Sequence, residues 1–211
     1  MIPEMNVYQW ASVLLAVALY APLCTKVWRK QVNVSLASFI LWGSIDFLIG
    51  LSILIQGETI AKYALAFTYM LGCLAVIVCV LKAGTYKWGQ VENRTVCTVA
   101  LCIAGWAIVV WGFDNPYLAT ILSTIAAVLA GIPMLIDSWA EPERVPLSEY
   151  VGYTLSGALG VVGASAWTVV DRLFPFSSMV VCAAFVLAGL RKYKGEYRNF
   201  VEAFQADWGL D

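Results

Sequence analysis

Histidine is missing from this chain of 211 residues, and charged side chains are scarce. Asp, Glu, Lys and Arg make up 13% of the residues, whereas a soluble domain has about 25%. Without histidine the chain lacks the commonest metal ligand and proton relay, and its six cysteines follow no zinc-binding spacing. The sequence also contains no nucleophile–base pair and no cofactor motif. We therefore expect no enzyme activity, no metal or cofactor, and no nucleic-acid binding.

Apolar residues are abundant instead, at 61% of the chain, which is more than a soluble fold of this length can bury. Seven apolar runs approach the roughly 20 residues that a helix needs to cross a bilayer core. Backbone amides in hydrocarbon must be hydrogen-bonded internally, so each run should be a helix. The runs lie at 7–27, 36–56, 62–81, 95–113, 117–137, 148–168 and 174–190.

The basic residues predict how these helices are oriented. Only Lys62 and Arg172 fall in loops on one side, and the other eleven fall on the opposite side. Positive charge favours the cytoplasmic face, so the N-terminus should lie outside and the C-terminus in the cytoplasm. Compact loops suit a multi-pass protein of a plasma membrane, and a bacterial inner membrane in particular. The eleven are Lys26, Arg29, Lys30, Lys82, Lys87, Arg94, Arg144, Arg191, Lys192, Lys194 and Arg198.

The two halves of the chain match each other at an offset of 111 residues. Each has a proline near the end of an apolar run and a tryptophan six residues later, Pro22 and Trp28 in one, Pro133 and Trp139 in the other. The offset superimposes helices 1 to 3 on helices 5 to 7 and leaves helix 4 unmatched. Because one helix links the two units, both should run through the membrane in the same direction.

We therefore predict an all-α integral membrane fold with seven transmembrane helices, arranged as two parallel three-helix repeats joined by a linker helix (3+1+3). The predicted units are a first repeat at 1–90, the linker at 91–115, a second repeat at 116–194 and a tail at 195–211. Aromatic residues recur at helical spacing in the tail, which predicts an amphipathic helix on the inner membrane face, with a protein-docking helix as the alternative. They are Tyr197, Phe200, Phe204 and Trp208.

The repeated segment reads Pro22-Leu-Cys-Thr-Lys-Val-Trp-Arg-Lys in the first copy and Pro133-Met-Leu-Ile-Asp-Ser-Trp in the second. With the 3+1+3 plan, it resembles the SWEET and PQ-loop (MtN3-like) transporter superfamily. The glutamine that names the PQ loop is replaced by Leu23 and Met134, so the resemblance is to a divergent member. It implies the fold, an N-terminus outside, and transport of a sugar or an amino acid. The asparagines typical of sugar-transporting members are missing from helices 3 and 7.

Proline removes one backbone hydrogen bond from a helix and tends to kink it. Pro22 and Pro133 are therefore candidate hinges that open and close the cytoplasmic mouth. The alternative is that they are simply tolerated, since proline is more frequent in membrane helices than in soluble ones.

Asp46 is the most informative single residue because it lies near the middle of helix 2 without a charged neighbour in sequence. Carboxylates at this depth are costly and usually face a cavity or a partner. Asp46 is a candidate to bind a proton or a polar group of a solute. Trp42, one helical turn earlier, would form a flat wall of the same site. The alternative is a protonated Asp46 that bonds a hydroxyl or carbonyl of a neighbouring helix.

Four further residues complete the predicted substrate site. Tyr69 and Cys73 lie at depth in helix 3 and Cys182 in helix 7, while Tyr153 of helix 6 aligns with Trp42 at the repeat offset. Aromatic residues at equivalent positions could hold a solute from both halves. Packing is the alternative for each of them.

Two predictions concern contacts. A row of small residues in helix 6 should pack against helix 5 or the linker, or support self-association. The acidic Glu141 or Glu143 should meet the basic Arg29 or Lys30 across the cytoplasmic mouth. The small residues are Gly152, Ser156, Gly160 and Ala164.

Together these features predict an alternating-access transporter of a small polar solute, a sugar or an amino acid, embedded in a lipid bilayer. Proton coupling and a homo-oligomer are left open. A non-transporting membrane receptor or sorting protein on the same scaffold is the alternative. A retinal protein is excluded because residues 174–190 contain no lysine for a Schiff base.

Overall fold

The computed structural model describes residues 5–32, 34–55, 60–84, 86, 88–113, 116–164, 166 and 168–193. The predicted tail helix at 195–211 lies outside these residues. All regular structure in the described ranges is helical, as predicted. The helices are α1 (Val7–Trp28), α2 (Leu36–Ile55), α3 (Ile60–Ala83), α4 (Gln90–Phe113), α5 (Pro116–Ala130), α6 (Ile132–Ala140), α7 (Leu147–Gly163) and α8 (Val169–Leu190), with short 3-10 turns at Pro142–Arg144 and Arg191–Tyr193.

Local sequence signals explain several helix ends. Asn6 caps α1 by accepting a hydrogen bond from the Gln9 amide at 3.0 Å, and the Gln9 side chain accepts one from the Asn6 amide, which is a capping box. The Thr168 hydroxyl caps α8 through the Asp171 amide. Gly84 ends α3 at a positive φ of 65°, a conformation that costs glycine little.

Among the described residues, five helical segments are long and apolar enough to cross a membrane. Four belong to α1, α2, α3 and α8, and the fifth, Ile121–Ala140, combines most of α5 with all of α6. Their outer faces carry large apolar side chains, such as Leu14, Leu71 and Leu187, each at least 60% exposed. Lipid is the natural neighbour of such a surface. The described part of the chain is therefore all-helical, and the protein is membrane-embedded.

The fifth apolar run is a broken helix, where a continuous one was expected. The Gly131 amide bonds to the Val128 carbonyl three residues back, and α6 then restarts with Pro133 in its first turn. Proline has no amide hydrogen, so it cannot donate to the carbonyl four residues earlier. In the first half, α1 runs through Pro22 without interruption. Only one of the two candidate hinges therefore coincides with a break in the helix.

The two halves use the same internal packing order. In the first half α3 packs against both α1 and α2, and in the second half α8 packs against both α5 and α7. Between the halves, α1 packs on α7 and α2 packs on α5, while α4 packs mainly on α5. The repeat offset pairs α1 with α5 and α2 with α7, so the α1–α7 and α2–α5 contacts are equivalent to each other. The interior of the molecule lies between these two pairs.

Gly152 and Ser156 of the predicted row pack against α1, and Gly160 lies closest to Pro175 of α8, so the prediction that the row packs against helix 5 or the linker is wrong. A Cβ atom on Gly152 would lie 2.5 Å from Leu19 Cδ1. Ser156 and Ser12 bond reciprocally, each hydroxyl donating to the other's backbone carbonyl at 2.8–2.9 Å. Close approach of α1 and α7 therefore depends on this row.

An ion pair crosses the halves, but between other residues than predicted. Lys26 Nζ of α1 lies 3.0 Å from Glu149 Oε1 of α7 and donates to Ser148 Oγ at 3.0 Å. Glu149 is 1% exposed. Glu141 instead pairs with Arg144 of its own loop at 3.6 Å. The buried Lys26–Glu149 pair thus fastens the halves near the predicted cytoplasmic end.

The repeated tryptophans have equivalent surroundings. The Lys82 ammonium lies 5.6 Å from the Trp28 ring centroid, and the Arg191 guanidinium lies 4.0 Å from the Trp139 centroid. Each cation comes from the end of the third helix of the same half. The sequence duplication therefore has a structural counterpart in the cation–π contact at each tryptophan.

Candidate functional site

A cavity of about 80 Å³ lies between the two halves. All four helices of the two pairs that join the halves, α1 with α7 and α2 with α5, contribute to its wall. All six residues predicted to bind substrate line this cavity, four from α2 and α3 and one each from α7 and α8. The lining residues are Tyr20, Phe39, Trp42, Asp46, Tyr69, Cys73, Ala127, Tyr150, Tyr153, Phe174, Ser177, Ser178, Val181 and Cys182.

Asp46 is the one charged side chain among the described residues that line the cavity. It is 5% exposed, and within the described part of the chain its carboxylate has neither a hydrogen-bond donor nor an ion-pair partner. The alternative role of Asp46 is a hydrogen bond to a neighbouring helix. The described part of the structure contains no such bond. Its electrostatic neighbours are Tyr20, Tyr69 and Cys73. A lone acid in an apolar wall is costly, and a ligand or a proton can offset that cost.

Trp42 has a structural role in addition to lining the cavity. Its indole Nε1 donates to the Ala127 carbonyl of α5 at 2.8 Å. In a continuous helix this carbonyl would accept from the Gly131 amide, but that amide bonds to Val128. The helix break therefore frees one carbonyl, and Trp42 satisfies it from the other half.

Tyr153, the repeat equivalent of Trp42, is the other described lining residue with an unused polar group. Its hydroxyl is buried without a partner in the described part of the chain. The ring packs against Tyr20 at a centroid distance of 5.2 Å and against Tyr69 at 6.3 Å. Packing thus fixes the ring, while the hydroxyl remains available inside the cavity wall.

The other tyrosine hydroxyls of the wall already bond to the protein. Tyr20 donates to the Tyr69 carbonyl at 3.3 Å, and Tyr69 shares a hydrogen bond with Ser156 at 3.2 Å. The Tyr150 hydroxyl donates to Met134 Sδ at 3.2 Å. These bonds hold the rings in place and leave few polar groups for a ligand.

Cys73 and Cys182 face the cavity from α3 and α8. Cys73 also fills the space beside Gly43, where a Cβ atom would lie 3.2 Å from its own. Both thiols are free. Packing of Cys73 against α2 is therefore one role of this residue. Both thiols are native positions for chemical labelling.

The hinge candidates do not line the cavity. Pro133 is fully buried in the first turn of α6, and Pro22 is partly buried inside α1. Their effect on the site would pass through the helices that carry them.

Sequence reasoning missed much of the aromatic wall, namely Tyr20, Phe39, Tyr150 and Phe174. The repeat offset could have found two of them, because Phe39 aligns with Tyr150 as Trp42 aligns with Tyr153. Tyr20 aligns with Gly131 and so carried no such signal. The Tyr20 ring packs so closely on Gly72 that a Cβ atom at Gly72 would overlap it. This contact depends on the tertiary structure.

No family model, curated protein or solved structure matches the chain. The site must therefore be interpreted from its own chemistry. That chemistry consists of one unpaired carboxyl, one unpaired phenol and a wall of aromatic rings, placed between two similar halves.

Proposed function

We propose that this protein is an alternating-access transporter of a small polar solute. The supporting observation is the cavity between the halves, to which both contribute equivalent aromatic residues and one contributes a buried acid. Transporters built from repeats commonly bind their substrate between them, near the middle of the membrane.

The proposal includes seven crossings in the 3+1+3 order, with α4 as the linker. α7 has 17 residues, about 25 Å of helix, and is short for a bilayer core of about 30 Å. A short span can be accommodated by local thinning of the bilayer. Contacts of α7 with the membrane-length helices α1 and α8 support its place as a crossing. The compact loops favour a plasma membrane, and the distribution of basic residues favours an N-terminus outside.

Opening on either face would separate α1 from α7. At one end the Asn6 side chain donates to the Gly163 carbonyl at 2.8 Å, and at the other Lys26 pairs with Glu149. Breaking the contact at one end while keeping the other would expose the cavity to one side at a time. The α5–α6 break beside Pro133 provides a point of flexion in the other pair of helices.

The test is uptake by proteoliposomes that contain the purified chain. Labelled sugars, neutral and cationic amino acids and small amines are offered with and without a pH gradient. We expect uptake of at least one class, and loss of uptake in Asp46→Asn but not in Glu143→Gln, which removes an exposed acid that does not line the cavity. Absence of flux for every class would refute the transporter and favour a receptor or sorting role. Unchanged pH dependence in Asp46→Asn would exclude proton coupling through this residue.

A further inference from the structure

The chemistry of the cavity narrows the solute class, and this inference rests on the proposed function. We propose that the cavity binds a small organic cation, an amine or quaternary ammonium, with its positive centre on Asp46 and among the surrounding aromatic rings. Neither a zwitterionic amino acid nor a sugar fits the same groups as well.

Charge is the first argument. Asp46 is the one charged residue among the described residues of the wall, and no lysine or arginine lies there to receive a carboxylate. The α-carboxylate of an amino acid would therefore enter without a cationic partner and beside a buried acid. Burial of an unpaired charge is strongly unfavourable. An organic cation without a carboxylate avoids this cost and supplies the partner that Asp46 lacks.

Hydrogen-bonding capacity is the second argument. A sugar has many hydroxyls, and each loses a partner in water when it enters a dry site. Most polar groups of the aromatic wall are already used, with the Trp42 indole on Ala127 and the Tyr20 hydroxyl on Tyr69. The Ser177 hydroxyl donates to the Phe174 carbonyl of its own helix. Among the described lining residues, the Asp46 carboxylate and the Tyr153 hydroxyl are left without a partner, which suffices for a cation with at most one hydroxyl.

The aromatic wall is the third argument. Its rings form one connected series, in which neighbouring centroids lie 4.8–6.3 Å apart. Aromatic faces attract organic cations, and the attraction strengthens when water is excluded. The series consists of Phe39, Trp42, Phe185, Tyr150, Tyr153, Tyr20, Tyr69 and Phe174, and all but Phe185 line the cavity.

Cation and proton would compete for Asp46. The titratable groups that line the cavity with it are weak acids, namely Tyr20 of α1, Tyr69 and Cys73 of α3, Tyr150 and Tyr153 of α7 and Cys182 of α8. None supplies a positive charge, so the empty site would hold a proton on the carboxyl and the bound cation would replace it. One cation enters and one proton leaves, so charge is balanced.

The experiment is a binding titration of the full chain in nanodiscs, with choline and its neutral isostere 3,3-dimethylbutan-1-ol as probes. The two molecules have the same shape and differ in charge. We expect choline to bind about thirtyfold or more tightly than the isostere. The affinity for choline should fall by a similar factor in Asp46→Asn, because one partner of a buried charge pair is then removed. Glu143→Gln should leave choline binding unchanged, and choline should release a proton from the wild type into weakly buffered solution.

Equal binding of choline and the isostere, or no choline binding at millimolar concentration by folded protein, would overturn the inference. If Asp46→Asn fails to fold, Tyr153→Phe serves instead. This variant should weaken the binding of choline, which has a hydroxyl, and leave the binding of tetramethylammonium unaffected. Weaker tetramethylammonium binding with unchanged choline binding would overturn the proposed binding mode. Choline binding without flux would refute the transporter and keep the cation site. Flux of a sugar or neutral amino acid without choline binding would refute the cation site and keep the transporter.

Discussion

Removal of Lys26 should destabilise the protein more than removal of its partner Glu149. Glu149 is 1% exposed and the Lys26 side chain is 24% exposed. Lys26→Met leaves a buried carboxylate whose one remaining partner among the described residues is the Ser148 hydroxyl, which donates to it at 2.8 Å. Breaking a buried pair in this way costs about 3–5 kcal/mol, and we expect the lower value because Lys26 is partly exposed. For a chain of this size, a loss of about 3 kcal/mol lowers the thermal midpoint by about 6–12 °C.

Glu149→Gln is the gentler change. The amide remains a hydrogen-bonding partner for Ser148, and the long side chain of Lys26 can carry its ammonium to water. We expect a loss of about 1 kcal/mol, the usual value of one hydrogen bond. The double variant Lys26→Met with Glu149→Gln contains no buried charge at this place. It should therefore be more stable than Lys26→Met alone.

Thermal unfolding in detergent measures all three variants, with Arg29→Met as a control that removes an exposed neighbouring charge. If the chain works by the alternating access proposed above, loss of the pair should also speed labelling of Cys182 in the cavity by a polar thiol reagent. Equal destabilisation by the two single variants would refute the reasoning. So would a double variant no more stable than Lys26→Met.

Two further predictions concern the contacts between helices. Trp42→Phe should lower stability by about 1–3 kcal/mol, since it leaves the Ala127 carbonyl unpaired at the helix break; an unchanged midpoint in thermal unfolding would show that another donor satisfies this carbonyl. Gly157→Ala should cost about 1–3 kcal/mol because its Cβ atom would lie 2.9 Å from the Met179 backbone nitrogen. Gly105→Ala, whose Cβ would first meet a side chain at 4.0 Å, should instead be neutral or stabilising by up to about 1 kcal/mol. Equal effects of the two alanines would contradict the close approach of α7 and α8.

Much of the candidate site could be predicted from residue chemistry at depth. Asp46 stood out because charge is rare inside a membrane helix, and Tyr153 followed from Trp42 through the repeat. The lining role of Tyr20 gave no such signal, since a tyrosine in an apolar run is equally suited to lipid, protein or cavity. The ionic contact between the halves was expected, but for the wrong residues, because a sequence places charges on a side of the membrane without pairing them.

Composition and run length determined by themselves that this protein is helical and lies in a membrane, since apolar segments of that length have few other stable states. The duplication likewise predicted which helices correspond. Only the tertiary structure decided which face of each helix meets a neighbour, as with Gly152 on α1 and the Trp42 bond to the broken α5. The physical reason is the medium. In water a polar stripe marks the exposed face of a helix, but in lipid both faces are apolar, and orientation is set by packing between helices.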